Sequence, residues 1–514
     1  MKRLGLLGLV AIVLMVLTAC QNGARQVIIE VDHTRRPVTT DGRTVRDALV
    51  AGGVELGPLD RVRPDLYVET TPGMVIVVTR VEERFETERV TVPFARKTVV
   101  NEALPAGESR LVQLGVNGEN EITYRVVLEN GTVVERTEVS QVPIRPAVDE
   151  IVAVGAQTNL QSVPISGTVA YLAAGNAWLM RDNSSARRPI TTEGDLDGRV
   201  FDLSPDGRLL LYSRRLEGDI ETPINQLWLA NTTIVGEQPI SLPLRGILYA
   251  QWSADGSRIA YSTAERTTAP PGWRANNDLW IATPRGSVIT GATQVISANT
   301  AGTYAWWGTT YSWSPDGSAF AYARADQVGV VDAVSGTVTV LAEFTPYDTY
   351  SEWVWTPGLS WSPDGQFLAA VLHERTPATA DYPQDSPAFD MWMLARDGSM
   401  KARLVAGAGM WSAPVWGTTG LVYGQAVDPL HSLDSRYALM LRDHDGSNPR
   451  RLFPVSGEPG VVAPPEVAWS PDGKALIFVY NGNLYLSDLR GGTPRQLTAN
   501  GQNSRPRWQA RPGS

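Results

Sequence analysis

Seven aromatic residues stand in long polar insertions, where a ring face can meet a ligand: Trp273, Trp306, Trp307, Tyr350, Trp353, Trp355 and Tyr382. Aromatic faces on an irregular polar surface stack against sugars or anchor a protein partner. The same rings can instead pack on one another and hold the long loops down, and each reading can hold for different residues. The carboxylates Asp206, Asp255, Asp316, Asp364 and Asp472 imitate a ring of acids. Each occupies the same place in a repeated turn, so they are read as turn-formers. His373 and His431 fall near the insertions, but two histidines without an evident third ligand make a poor metal site, and none is expected. His33 and His444 read as surface residues. The sequence holds no phosphate loop, no nucleophile elbow and no appended hydrolase domain. It therefore reads as non-enzymatic and without a cofactor.

The insertions hang from a repeat. Trp313-Ser-Pro-Asp-Gly317, Trp361-Ser-Pro-Asp-Gly365 and Trp469-Ser-Pro-Asp-Gly473 are identical, and Leu203–Gly207 and Trp252–Gly256 differ at one position each. Trp416–Gly420 is a worn copy. Ser, Pro and Gly at the first, second and fourth positions suit a type I turn between antiparallel strands. A third-strand pattern recurs as Asn225-Gln-Leu-Trp-Leu229, Asn277-Asp-Leu-Trp-Ile281 and Asn483-Leu-Tyr-Leu486. A repeat of about 50 residues with four strands implies one propeller blade per copy. Copies start near Val200, Leu248, Tyr311, Gly358, Ala413 and Pro465. A further copy is split: Val169–Leu179 matches the second and third strands, Arg188–Thr192 the fourth, and Ser504–Trp508 the first. Closure by the C-terminal strand would pair both loose edges. Seven blades are expected over 165–510, with six as the other count the worn copy allows. The repeats resemble the WD40-like, TolB-type propeller repeat (PD40).

Up-and-down blades put the Ser-Pro-Asp-Gly turns on one face, and the loops between second and third strands, with the crossovers between blades, on the other. The aromatic insertions fall on this second face, in consecutive blades.

The rest of the chain is built differently. All sixteen Trp lie after residue 155, and the net charge of -9 argues against general nucleic-acid binding. Lys2 and Arg3 precede an apolar run from Leu4 to Leu17, shorter than a membrane helix needs, so residues 1–20 read as a secretory signal. Leu17-Thr-Ala-Cys20 resembles a bacterial lipobox. The resemblance implies cleavage before Cys20, lipid on its sulfur and a membrane anchor on the outer side of a cell membrane or on an outer membrane. Cys20 is the single cysteine, so no disulfide can form within the chain.

Residues 26–79 read as a small α+β unit. Val27–Val31 is a strand, Thr44 caps a helix that ends at Gly52-Gly53, and Met74–Thr79 is a strand. Thr44-Val45, Leu49, Gly53-Val54, Asp60 and Gly73–Ile76 resemble the ubiquitin-like DUF348 repeat. Residues 80–155 read as extended, polar β structure with a thin core. Asn130-Gly131 between Val126–Leu128 and Thr132–Val134 is a hairpin signal. Gly107, Gln113-Leu-Gly115, Gly118, Tyr124-Arg-Val126, Asn130-Gly131 and Ile151–Gly155 resemble a G5 domain. That resemblance implies a bacterial surface protein and an N-acetylated cell-wall glycan such as peptidoglycan as partner. The alternative for this segment is a stalk. Residues 156–164 read as a linker.

The expectation is a mainly β, lipid-anchored envelope protein. Its G5 region binds cell-wall glycan, and its propeller presents an aromatic rim to a ligand or an envelope protein. A pure protein–protein scaffold of TolB type is the first alternative. A propeller lyase or hydrolase acting on polysaccharide is the second.

Overall fold

The computed structural model describes residues 23–102, 104–156, 160–375, 382–462 and 464–513. The expected signal sequence at 1–20 and the expected lipidation at Cys20 lie outside them. The chain divides into two units: residues 1–94 with 116–147, and residues 95–115 with 148–514.

In the first unit, Arg25–Val31 pairs antiparallel with Thr34–Thr40 and parallel with Val75–Thr79, which also pairs with Arg61–Arg63. The helix Val45–Ala51 is capped as its sequence dictates. Thr44 Oγ1 accepts the Asp47 N–H, and the Asp47 carboxylate accepts the Thr44 N–H at 3.0 Å. Its Val45, Ala48 and Leu49 are buried with Val27, Ile29, Val38, Ile76 and Val78. Arg80 ties this layer to the following sheet by ion pairs to Asp32 (2.8 Å) and Asp60 (2.7 Å). That sheet is three long strands, Val81–Val92, Gly118–Glu129 and Thr132–Arg145. Asn130 (φ 50°) and Gly131 (φ 80°) turn the hairpin, both positive as a type I′ turn requires. Every residue of Thr132–Arg145 is exposed.

The stretch 80–155 is shared between the two units. Arg96–Asn101 pairs parallel with Glu150–Gly155, which pairs antiparallel with Ser109–Gln113, and this small sheet belongs to the second unit.

The remainder of the second unit is a succession of seven antiparallel sheets among the described residues. The first joins Asn176–Pro189, Pro164–Ala173 and the C-terminal Asn503–Gln509. The other six begin, at their innermost strands, with Leu196–Leu203, Ile247–Trp252, Thr310–Trp313, Leu359–Trp361, Val415–Trp416 and Val467–Trp469. Arg188–Thr192 is not a separate outer strand of the first sheet. Asn176–Pro189 runs on as one strand, and the Ile190 N–H then bonds the Ala177 carbonyl (2.7 Å), as Leu497 bonds Leu484 (2.8 Å) in the seventh sheet.

Bonds run from sheet to sheet around this succession. Asp202 accepts the Trp252 N–H (2.9 Å), Gln251 the Trp313 N–H (3.1 Å), and the Ser312 carbonyl the Trp361 indole N–H (3.1 Å). Ser360 accepts the Trp416 N–H (3.0 Å), and the Val415 carbonyl the Trp469 indole N–H (3.1 Å). Glu466 accepts the Arg505 N–H, and Arg507 of the first sheet lies 3.5 Å from Asp202 of the second.

The Ser-Pro-Asp-Gly turns share one clasp. In each, the Ser hydroxyl donates to the Asp carboxylate (2.5–2.7 Å) and accepts the N–H of the residue five places on (2.9–3.0 Å). The Gly that follows sits near φ 67°, the left-handed region that only glycine enters cheaply. These aspartates hold turns and do not converge on a ligand.

Candidate functional site

The insertion face is assembled by loops that the blades hold open. In the third sheet, Trp273–Ala275 pairs with the end of Ile259–Arg266, so the insertion between the second and third strands folds back as a hairpin. Asn277 then pins the crossover that follows the sheet. Its amide donates to the carbonyls of Asn299 (2.9 Å) and Ala305 (2.8 Å) and accepts from the Thr309 hydroxyl (2.8 Å). Ala275 N–H bonds the Trp306 carbonyl at 3.0 Å. Three indoles meet as a result: Trp273 and Trp307 with centroids 5.3 Å apart, and Trp306 edge-on to Trp307 at 5.7 Å. All three are half-buried.

The other expected aromatics separate into two kinds. Trp355 is 1% exposed, gives its indole N–H to the Met410 carbonyl (2.9 Å) and packs on Val371 and Phe389. It is a core residue, and its expected role in ligand contact is corrected: no face of the ring reaches solvent. Trp353, two residues away, is half-buried and stacks on Trp411 at 5.5 Å and 29°. Tyr350 (77% exposed) and Tyr382 (63%) present their rings to solvent. Tyr350 is nonetheless fixed in place. Its hydroxyl donates to Asp385 (2.7 Å), and that bond to a carboxylate pushes its pKa up to about 12.

Between Trp307 and the crossover that carries Val354 lies a cavity of ≈ 190 Å³. Tyr304 and Trp307 give it aromatic walls, and Arg324, Asp326 and Gln327 give it polar groups. Arg324 is oriented by its Nε–H bond to Thr309 (3.1 Å). Among the described residues, the side chains of Asp326 and Gln327 make no hydrogen bond within the protein. The cavity is smaller than the ~300–1,000 Å³ of sites enclosing a drug-sized ligand. Sequence reading named Trp307 but not the polar trio beside it, which occupies a tight turn with no insertion to mark it. It also missed Trp411. Being aromatic in a crossover was the available signal there.

A larger groove, ≈ 510 Å³, opens on the turn face and is lined by Asp332, Ser335, Thr337, Gln366 and Arg396. Arg396 is already engaged by Asp316 (3.0 Å) and Ser318 (2.6 Å), and Phe367 is the one ring in the lining. The groove lacks the stacking surface that the insertion face has.

Three of the four histidines are engaged. His373 is buried with Nδ1 2.7 Å from the Thr345 carbonyl and Nε2 2.8 Å from the Ser386 carbonyl, so neither nitrogen is open to a metal. His431 is exposed and bonds Asp428 at 2.9 Å. His444 is exposed, as expected of a surface residue, and it accepts the Trp416 indole N–H (3.1 Å) and reaches the Thr418 carbonyl (3.0 Å), bracing the worn turn. Among the described residues, no group of three His, Cys, Asp or Glu side chains is placed to hold a metal ion.

Comparison with known proteins bears on each region. The G5-linked ubiquitin-like domain family matches residues 27–66, the G5 domain family residues 83–157, and the dipeptidyl peptidase IV N-terminal region residues 454–509. Resuscitation-promoting factor RpfB of Mycolicibacterium smegmatis is 27% identical over 196 residues, which is 37% of this chain and 51% of that protein. Tol-Pal system protein TolB of Xanthomonas campestris is 43% identical over 68 residues, 12% of this chain and 14% of that protein. The chain thus spans about half of the first relative and far less of the second. A solved TolB structure from Acinetobacter baumannii aligns with 83% of this chain and 100% of its own at 12% identity and a TM-score of 0.36. The chain therefore carries a G5-linked ubiquitin-like domain and a G5 domain, followed by a propeller-type region of antiparallel sheets.

Proposed function

We propose that the protein is a non-enzymatic binding protein of the bacterial cell envelope. Lipid at Cys20 tethers it, its G5 region engages N-acetylated cell-wall glycan, and its propeller, a closed ring of seven blades, takes a ligand on the insertion face. The circuit of bonds between inner strands supports the ring. The cavity beside Trp307 carries the ligand reading, because it joins aromatic walls to uncommitted polar groups at the size of one sugar unit. Burial of a polyhydroxylated ring is favourable only where its hydroxyls find partners, and Asp326 and Gln327 supply them. The half-exposed stack of Trp353 on Trp411 extends the surface.

A second reading is a protein–protein scaffold. Val427, Leu430 and Leu433 are exposed in the loop to which Trp411 is bonded through the Leu433 carbonyl (3.2 Å). Exposed apolar groups beside an aromatic stack suit a protein partner. A lyase or hydrolase reading has less behind it, since both nitrogens of His373 are committed to backbone carbonyls.

The test is retention of the chain from residue 21 onward on purified cell-wall glycan. The variant Trp307→Ala with Asp326→Asn is expected to lower retention about tenfold, the loss of one stacked ring and one charged hydrogen bond. Unchanged retention would leave glycan binding to the G5 region alone and refute it for the propeller. No retention by the parent protein would end the glycan reading and leave the scaffold.

A further inference from the structure

Arg199 and Arg505 stand on neighbouring innermost strands, Leu196–Leu203 and Asn503–Gln509, which the Arg507–Asp202 pair joins. Both are half-buried. Arg505 Nε lies 3.5 Å from where a Cβ on Gly198 would stand, so its guanidinium rests beside the residue preceding Arg199. The Arg505 backbone is held at φ 52°, a region costly for a side chain of this size. Its main-chain N–H is taken by Glu466. Among the described residues, however, its guanidinium has no hydrogen-bond partner. Burial, with Arg507 adding to it, holds Arg505 below the ordinary arginine range, and burial does the same to Arg199.

Arg199 is scarcely better served. Its guanidinium carbon sits 4.0 Å over the Trp273 ring, and its Nε is 3.9 Å from Asp197, beyond hydrogen-bond length. The Asp197 carboxylate is committed elsewhere: it accepts from the Ser213 hydroxyl, the Asn225 amide (2.7 Å) and the Arg199 main-chain N–H (3.0 Å). Arg187 in the same unit shows the usual outcome for a buried guanidinium, with one carboxylate and two carbonyls as acceptors. A half-buried guanidinium whose fork has no protein acceptor is open to one that a ligand supplies. The charges around the pair are Arg199, Arg505, Arg507 and Arg215 against Asp197, Asp202 and Glu466, a balance of one positive. That balance fits a singly charged carboxylate better than a phosphate dianion.

We propose that Arg199 and Arg505 form a carboxylate-binding site at the Trp273 edge of the insertion face, taking the acid group of an acidic saccharide. This rests on the glycan reading of that face and names the class of glycan. Planar guanidinium groups bind a carboxylate through two parallel bonds, and the indoles of Trp306 and Trp307 lie next along the wall for sugar rings.

The experiment is calorimetric titration of the chain from residue 21 onward with trigalacturonic acid and with its carboxyl-reduced counterpart. The acid is expected to bind at least about tenfold more tightly, as hydrogen bonds between charged groups allow. Arg505→Gln should remove that preference and leave the neutral sugar unaffected; Arg505→Lys, which keeps charge without the fork, should fall between. Arg505→Gln breaks no hydrogen bond of the guanidinium, so its melting temperature should match the parent. Equal binding of the two sugars, or an acid preference that survives both Arg505→Gln and Arg199→Gln, overturns the carboxylate site while the glycan reading stands. If neither sugar binds, the carboxylate site is overturned, and the cell-wall retention assay decides the glycan reading separately.

Discussion

Arg187→Met should destabilise the propeller unit severely, because the charge it removes is buried and shared among three sheets. The Arg187 side chain is 4% exposed. It reaches Glu102 at 2.9 Å, the Ser184 carbonyl at 2.6 Å and the Leu497 carbonyl, and Glu102 also accepts the Ala499 N–H at 2.6 Å. One guanidinium thus joins the first sheet, the seventh sheet and the small sheet that begins at Arg96–Asn101. Removing it takes the Arg187 charge from beside a buried carboxylate and a donor from two carbonyls. Breaking a buried pair from one side costs about 3–5 kcal/mol. At ~2 °C per kcal/mol for a large unit, the melting point falls by about 6–10 °C. Tryptophan fluorescence reads this unit selectively, because every Trp of the chain lies beyond residue 155. Arg187→Met with Glu102→Leu should regain most of the loss, since the pair's own net worth is small once both charges are gone. Amide exchange at Thr98–Val100 should speed up in the single variant. A melting point within roughly 1 °C of the parent would refute the argument that this pair holds the small sheet.

Two neighbouring tryptophans should behave in opposite ways. Trp355→Ala opens a core cavity and should cost about 3–5 kcal/mol in denaturant titration. Trp353→Ala should cost about 1–2 kcal/mol, the loss of one half-exposed stack, and should act on ligand binding instead. The turn clasp predicts a pH effect. Hydrogen bonds from the Ser253 hydroxyl, then from Ser257, lower the Asp255 carboxyl from 3.8 to about 2. A depressed carboxyl stabilises the fold above its unfolded pKa, and that contribution disappears as pH falls through the folded value. Asp255→Asn should therefore be less stable at pH 7 by on the order of 1 kcal/mol after solvent screening. The gap should close between about pH 4 and pH 2 in acid titrations of both proteins, and a constant gap would refute the clasp as its source.

What the sequence disclosed was local. The capping box at Thr44 and Asp47 spans four residues, and the Asn130-Gly131 hairpin needs only positive φ at two. The Ser-Pro-Asp-Gly clasp closes within six residues, so its copies announce themselves. What stayed hidden depends on contacts between distant segments. Arg96–Asn101 pairs in parallel with Glu150–Gly155, and no short-range signal marks a strand that must wait for a partner some fifty residues on. Trp353 and Trp355 sit in irregular backbone, where neither a two-residue nor a 3.6-residue period says which ring turns inward. Phe389 and Val371, which receive Trp355, come from two strands of the fifth sheet.

The inner strands show why a repeat can be legible while its working contact is not. The Trp before most of the turns, with Leu203 in its place before one, was conspicuous because one residue type recurs. The position just before it holds Asp202, Gln251 and Ser360, three residues with no shared identity. All three nonetheless accept the main-chain N–H of the corresponding residue one sheet further on, Trp252, Trp313 and Trp416. Any side chain with an acceptor at the right reach satisfies that N–H, so selection on the contact leaves polarity without identity. Where the acceptor is the main chain, as at Ser312 and Val415, the indole N–H of the next Trp takes its place, and the side chain need not be polar at all. A motif search sees the Trp and passes over its partner. The bond exists because the inner strands are brought side by side, which only the assembled sheets provide.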